Sequence, residues 1–593
     1  MICRKNSYFW TIGISVLLTL LIVLILSEMF TLIMVSPDDV MFQQILSGST
    51  TGTPNGHTHF LRYPLGATLA LLYRIYNGVS WYQLFLLGAL MLSFSLIFAR
   101  VRGIATGRKV LYLVISVLLV FLLFAEDVVH LEWTVISGVL GATAIFRFVT
   151  IPNNLGRRKI VAEYAICIIL LLLCFCLRHT VAYMFIPLAG LCWLYQLLKI
   201  LQKTEPEKRK KAITPLVIFL AACLAVVGAV MLTHAIAYSS EEWQAYQDYT
   251  KDRSALFDYY GYPDYKTYEQ EYQAAGISYE AYIIMREDYN FIIPCDNFKD
   301  MDIKAIAELA EQIHTEDVGE KLKATYNTIK GIFVGESYAL LNVIIVILFT
   351  CNLCVYKEKK VIDILFIAAT VVWALAFAAY LAYDGRLPER VVRSIDYGLI
   401  MVLFGNCMAQ WLNRPHTEKM DFPITQRVVS IVLAVVMLGA VCVKLNNLRD
   451  ANDKKKNLAI AHLEIQQYCA SNPENLYVRD FWSFSQRGEV FLKTVECDNY
   501  VNAGGWIYHS PVYDELLEKW DCEDIFQAIE ENDNLYYLVN ETRYKYVNPR
   551  LNKFFAGVAE EKGLHVTMEI ADTFTTVNEK VLVLKFSGTS VNE

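Results

Sequence analysis

The strongest constraint in this chain is its succession of long apolar runs. A bilayer core needs about 20 consecutive apolar residues per helix. Runs of that length recur at 8–35, 79–99, 109–125, 131–150, 159–177, 181–201, 213–237, 334–355, 361–382, 394–412 and 427–445. They predict eleven spans, with Pro64–Tyr76 as a shorter, proline-led piece suited to a half-helix or an interfacial helix. At 55% hydrophobic and 19% charged residues, unbroken runs of this kind make a polytopic α-helical membrane protein. The first run follows Arg4 and Lys5, exceeds a signal-peptide core and has no small-residue cleavage site after it. It reads as an uncleaved anchor.

Loop charge tests the count, because short cytoplasmic loops collect lysine and arginine. With the N-terminus inside, the inner loops hold Arg100, Arg102, Arg108 and Lys109; Arg157, Arg158 and Lys159; and Lys203, Lys208, Arg209, Lys210 and Lys211. Lys357, Lys359 and Lys360, then Arg414, Lys419 and Arg427, complete the series. Every inner loop is basic, and an odd number of spans puts the C-terminus outside. The net charge of -7 gives no sign of a nucleic-acid partner.

The first outer loop, 36–66, opens with adjacent carboxylates, Asp38 and Asp39. An acidic pair just past a membrane span is suited to base chemistry at the membrane surface, although aspartate also simply favours helix N-termini. Cations of the short outer loops are all arginine: Arg62, Arg74, Arg178, Arg386, Arg390 and Arg393. Arginine's planar fork binds phosphate bidentately, which points to an anionic headgroup; snorkelling accounts for one or two of the six, Arg74 first.

Glu126, Asp127, His130 and Glu132 stand at outer span ends, where acidic groups face a water-filled cavity or pair with a cation. Arg178 and His179 are candidate partners on the same side. His57 and His59 form an HxH pair without a third ligand fixed by spacing, so solvated loop histidines are expected rather than a metal site. Cys351 and Cys354 make a CxxC inside an apolar run, where helix packing is favoured over redox or zinc chemistry.

Two larger outer parts remain. Residues 238–330 are acidic and tyrosine-rich, with helical spacing in Ile303–Ile313; a small, mostly helical lid is expected, its tyrosines packing it. Residues 446–593 alternate helix-like runs (Leu458–Tyr468, Pro511–Trp520, Glu523–Glu531, Leu551–Lys562) with strand-like ones (Leu476–Phe481, Leu535–Val539, Val566–Ala571, Lys580–Phe586). This is the pattern of a small α/β domain. It carries no catalytic motif, and Gly504-Gly505-Trp506 is too short for a phosphate loop, so a recognition role is expected. The domain layout is 1–237, 238–330, 331–445 and 446–593.

The acidic pair after the first span, the acidic second outer loop, the span count and the outward C-terminal domain resemble the GT-C superfamily of integral-membrane glycosyltransferases. More narrowly, TGTPNGHTHFLRYPLGATLALLYRIYNGVSWYQLFLLG, RSALFDYYGYPDY and GGWIYHSPVYDELLEKW look like large bacterial membrane proteins of unassigned activity. The superfamily resemblance implies a polyprenyl-phosphate sugar donor, a cell-surface glycan acceptor and a location in the cytoplasmic membrane. It implies Asp39 or Asp38 as catalytic base, with Asp39 favoured as nearer the loop helix. Arg386, Arg390, Arg393, Arg178 and Arg62 would bind substrate, with Glu126, Asp127, His130 and Glu132 beside them. A divalent metal, Mg or Mn, near Asp38 and Asp39 is compatible with the family and not required by it.

Three rivals make different predictions. A flippase or transporter would show internal repeats and broken, charged helices at mid-membrane. A polysaccharide polymerase would lack the first-loop acidic pair. A scaffold would not depend on Asp38 or Asp39.

Overall fold

The computed structural model describes residues 2–49, 51–104, 109–152, 155–288, 303–314, 317–355, 361–412, 424–484, 488–522, 532–562 and 564–590. From the N-terminus run α1 (Ile2–Met29), strand β1 (Ile33–Met34), and the loop helices α2 (Pro37–Ser47) and α3 (Tyr63–Ile75). Then come α4 (Trp81–Ile104), α5 (Lys109–Val129), β2 (His130–Leu131), α6 (Trp133–Val149), α7 (Arg157–Leu177), α8 (His179–Lys203) and α9 (Pro206–Ala237). The insertion contains α10 (Glu241–Ser254) and α11 (Ile303–Ile313). It is followed by α12 (Val318–Val334), α13 (Glu336–Val355), α14 (Val361–Tyr383), α15 (Glu389–Leu412) and α16 (Ile424–Ala470).

Among the described residues, seven helices are long and apolar enough to cross a membrane, and a bent pair, Val318–Val334 with Tyr338–Leu353, would make eight. The chain is a multi-pass membrane protein. Helix α6 is apolar but only 17 residues long, and every one of its residues is buried among α4, α7, α8 and α15. It is the hub of the bundle. Of the inner-loop cations, Arg108, Lys357, Lys359, Lys360, Arg414 and Lys419 lie outside the described residues.

One apolar run ends earlier as a helix than hydropathy suggests, and another continues further. Ile33 and Met34 leave the first helix to pair in parallel with His130 and Leu131, and antiparallel with β4 (Glu489–Val490) of the C-terminal part. Pairing satisfies backbone groups that the helix would otherwise have satisfied. The last apolar run does not stop at 445, because α16 continues unbroken to Ala470. Leu458–Tyr468 is thus the far end of this long helix rather than a separate domain element.

Beyond α16, β3 (Leu476–Arg479), β5 (Tyr500–Asn502), β6 (Leu535–Asn540), β7 (Leu564–Thr575) and β8 (Lys580–Ser590) form a mixed sheet in the order β5-β3-β6-β8-β7. Helices α17 (Pro511–Glu518) and α18 (Glu541–Lys562) accompany it, so the α/β pattern is present. The run Glu523–Glu531 lies outside the described residues. In the insertion Tyr246, Tyr265, Tyr272 and Tyr282 are buried and serve as packing.

Helix α2 is packed on two sides. Val40, Phe42 and Leu46 join the core of the bundle, while Met41 and Ile45 join a second core with Trp243 and Tyr246 of the insertion and Val501 and Ile507 of the C-terminal part. The first loop is therefore held between the membrane helices and both outer parts.

Candidate active site

Local sequence fixes where α2 begins and ends. Ser36 is extended at the N-cap, Pro37 pre-sets the first helical φ, and Asp38 and Asp39 occupy the first turn, where a carboxylate complements the helix dipole. Gly48 closes the helix with φ +74°, and a Cβ there would strike the backbone of Thr53 and Pro54. Adjacent helical residues point about 100° apart, so the two carboxylates part company.

Asp38 faces a cavity of about 730 Å³ and receives the Nε1–H of Trp506 on Oδ1 at 3.2 Å. Asp39 is fully buried behind it and does not line the cavity. Its Oδ2 accepts the backbone N–H of Trp133 at 3.2 Å, and its Oδ1 accepts the hydroxyl of Tyr82. The expected preference for Asp39 therefore meets a carboxylate enclosed in structure, with Asp38 in the open position.

Burial pushes the Asp38 carboxyl above its ordinary range. Arg390, Arg178 and the Trp506 N–H oppose that shift, and Glu132 adds to it. Asp39 is raised further, by burial first and by the neighbouring Glu132 second.

The cavity wall is strongly basic. Arg178, Arg386 and Arg390 line it, as the outer-loop arginines suggest, and Arg253 of the insertion and Arg479 of β3 join them. Arg178 sits over the Trp133 ring, 4.2 Å from its centroid, and donates to Thr134 and to Thr180 Oγ1. Arg386 is held by Asp258 at 3.1 Å and by the Tyr259 hydroxyl at 2.5 Å. Among the described residues the buried Arg390 Nε has no hydrogen-bond partner. Arg479 donates to Asn502 and lies 5.1 Å from the centre of the Tyr500 ring. Phe60, Trp133 and Trp506 form an aromatic wall, closed behind by Phe42, with ring centroids 5.1–6.2 Å apart.

Apart from Glu132, which stays beside Asp39 and Arg178, the other expected site residues lie elsewhere. Arg393 binds Asp127 and, at 3.2 Å, both Glu126 and the Tyr397 hydroxyl; Lys444 binds Glu126 at 3.0 Å. His130 meets Asn452 and Lys455 at 3.4 and 3.3 Å. These groups tie α5 and β2 to α15 and α16, so their partners are Arg393, Lys444 and Lys455 rather than Arg178 and His179. Glu132 caps α6, accepting the Val135 N–H at 2.8 Å. Arg62 packs on Phe175 and does not line the cavity.

His57 and His59 are not solvated loop histidines. His57 stacks on Trp243 and reaches the Ala237 carbonyl at 3.2 Å. His59 lines the cavity, and burial, with Arg253 nearby, pushes it down to about 4. Among the described residues no three His, Cys, Asp or Glu side chains gather to hold a metal ion. Asp38, the open carboxylate of the pair, supplies too few donors for an all-protein cation cage.

Sequence reasoning missed Arg253, Arg479 and the arrival of Trp506. Arg253 lies in an insertion with many charges and Arg479 in a strand, and neither has a local signal that separates it from a surface cation. The Gly504-Gly505-Trp506 stretch did stand out, and its role is geometric: Gly505 takes φ +95° as the chain turns Trp506 into the cavity.

These features define a multi-pass membrane protein with an arginine-lined cavity built from its bundle and both outer parts. No protein-family model matches the chain, and no curated protein does. The crystal structure of ArnT from Cupriavidus metallidurans bound to undecaprenyl phosphate aligns over 96% of this chain and 97% of its own. Identity is 11% and the TM-score 0.33, a likeness from which neither fold nor chemistry transfers.

Proposed function

We propose that this protein is a membrane glycosyltransferase that moves a sugar from a polyprenyl-phosphate donor to a cell-surface glycan acceptor. The observation that carries the reading is the composition of the cavity: Asp38, a carboxylate that makes no ion pair among the described residues, shares it with Arg178, Arg253, Arg390 and Arg479. Asp258, the other carboxylate in the wall, is paired with Arg386.

Asp38 acts as general base on the acceptor hydroxyl. The acceptor oxygen attacks the anomeric carbon, the bond from that carbon to the phosphate oxygen breaks, and the polyprenyl phosphate leaves with the electron pair. Arg390 and Arg178 hold the phosphate as its charge grows. A raised carboxyl is better matched to proton abstraction near neutral pH than an ordinary one. Asp39 holds α2 against α4 and α6 and so positions its neighbour.

In this reading eleven helices span the cytoplasmic membrane, the N-terminus is inside, and the cavity and C-terminus are outside. The test is a comparison of cells with and without the gene. Loss should deplete a surface glycopolymer and raise its lipid-linked sugar. Unchanged pools of both would remove the proposal.

A further inference from the structure

Helix α12 has no buried residue, although it carries large apolar side chains along one side. Val318, Leu322, Tyr326 and Phe333, spaced by four, four and seven residues, share a stripe, and each is more than half exposed. The preceding helix shows what a partnered face looks like. In α11 the apolar residues Ile303, Ile306, Ala307 and Ala310 are all buried. Asp317 caps α12 at its start, accepting the Gly319 N–H at 2.7 Å, so the helix is well formed. It turns by 77° into the apolar Tyr338–Leu353 segment of α13.

Where α13 crosses the bilayer, a helix at 77° to it has the orientation of one lying along the membrane surface, its apolar stripe toward the acyl chains. Charge agrees. Lys323 and Lys330 are exposed at one border of the stripe, while Lys321 at the other side rests 5.1 Å from the Tyr383 ring centre. Helix α12 also packs along α14, and Leu381, Gly385 and Arg386, at and just past the end of α14, line the basic cavity.

We propose that α12 is a membrane-surface helix that docks on anionic phospholipid in the leaflet on the cavity side, keeping the cavity rim at the lipid surface. Its stripe sits at headgroup and upper acyl depth, and Lys323 and Lys330 contact anionic headgroups. This inference does not depend on the glycosyltransferase reading or on which leaflet is outer.

The test uses the full chain in vesicles of phosphatidylcholine or phosphatidylglycerol containing a phospholipid with a photoactivatable group near the headgroup end of its acyl chain. After irradiation and digestion, adducts should fall on Leu322, Tyr326 and Phe333, with Asn327 unlabelled. The double variant Lys323→Glu, Lys330→Glu should lose about fivefold or more of that labelling in phosphatidylglycerol vesicles, with little change in phosphatidylcholine. Labelled α13 and α14 beside an unlabelled α12 would overturn the proposal. Adducts all around α12, Asn327 included, would overturn it in favour of an immersed segment. Labelling indifferent to both lysines and lipid charge would overturn the headgroup contact.

Discussion

Trp506 donates its indole N–H to Asp38 Oδ1 at 3.2 Å across 468 residues of chain. That bond joins the C-terminal part to the loop behind the first membrane helix, in the wall of the same cavity. The last quarter of the chain, expected to be recognition machinery alone, thus contributes to the candidate catalytic centre.

Replacing Trp506 by Phe keeps the ring and removes the bond. The N–H stabilises the ionised carboxylate, so its loss raises the Asp38 carboxyl further. A base must be ionised to act, so the acid limb of the pH–rate profile should move to higher pH. A hydrogen bond to an ion is worth ~1.5–3 kcal/mol, so transfer on the acid side should fall about tenfold or more while the alkaline plateau holds. A profile that only scales down would mean that Trp506 serves packing alone.

Arg390→Lys keeps the charge and loses the planar fork. With the Arg390 Nε buried and unpartnered in the cavity wall, the donor KM should rise about tenfold, in line with loss of a charge-assisted hydrogen bond, with a smaller change in kcat. Donor titrations in liposomes read this directly.

Arg393 should behave in the opposite way. Arg393→Ala strands the buried Asp127 and leaves Glu126 with Lys444 alone, and breaking a buried pair typically costs about 3–5 kcal/mol. Yield and thermal midpoint in detergent should drop, while the folded fraction binds donor with unchanged Kd. A weaker Kd without loss of stability would return Arg393 to the binding site.

Glu489 offers a pH test of how the C-terminal part is held. Its Oε2 accepts Gln43 Nε2 at 2.8 Å and Gln83 Nε2 at 3.4 Å, and burial raises its carboxyl to about 8. The folded pKa is above the unfolded one, so the stabilisation is fully present below the ordinary carboxylate range and is lost as pH rises through about 8. Protease resistance of the C-terminal part should decline from pH 5 to pH 9 in the parent protein. Glu489→Gln, which keeps an acceptor oxygen, should flatten that decline.

Much of the architecture was legible because hydropathy is a local property. The apolar runs lie in helices, and strand-like stretches such as Leu535–Val539 and Lys580–Phe586 are strands. What escaped is set by distant partners. The strands β1, β2 and β4 are two residues long and show no period of their own. Helix α16 runs on past its apolar stretch because its polar continuation packs on β1 and β4. The acidic pair was visible, yet which carboxylate faces solvent depends on Tyr82 and Trp133 enclosing Asp39. The basic wall was half visible, since Arg178, Arg386 and Arg390 lie in short loops or at helix ends, whereas Arg253 and Arg479 are brought in by the outer parts.

The central claim is that Asp38, and not Asp39, is the base. Its most direct test is transfer from a purified polyprenyl-phosphate sugar by Asp38→Asn and Asp39→Asn, each reconstituted in liposomes and verified as folded. Removing a general base typically costs about 10²–10⁴ in rate, so Asp38→Asn should bind donor normally and transfer that much more slowly. Asp39→Asn keeps an oxygen for Tyr82 or Trp133 and should stay within about tenfold of the parent rate, below the range for loss of a base, with a lowered thermal midpoint. Near-normal transfer by Asp38→Asn, or the larger loss falling on Asp39→Asn, would contradict the account.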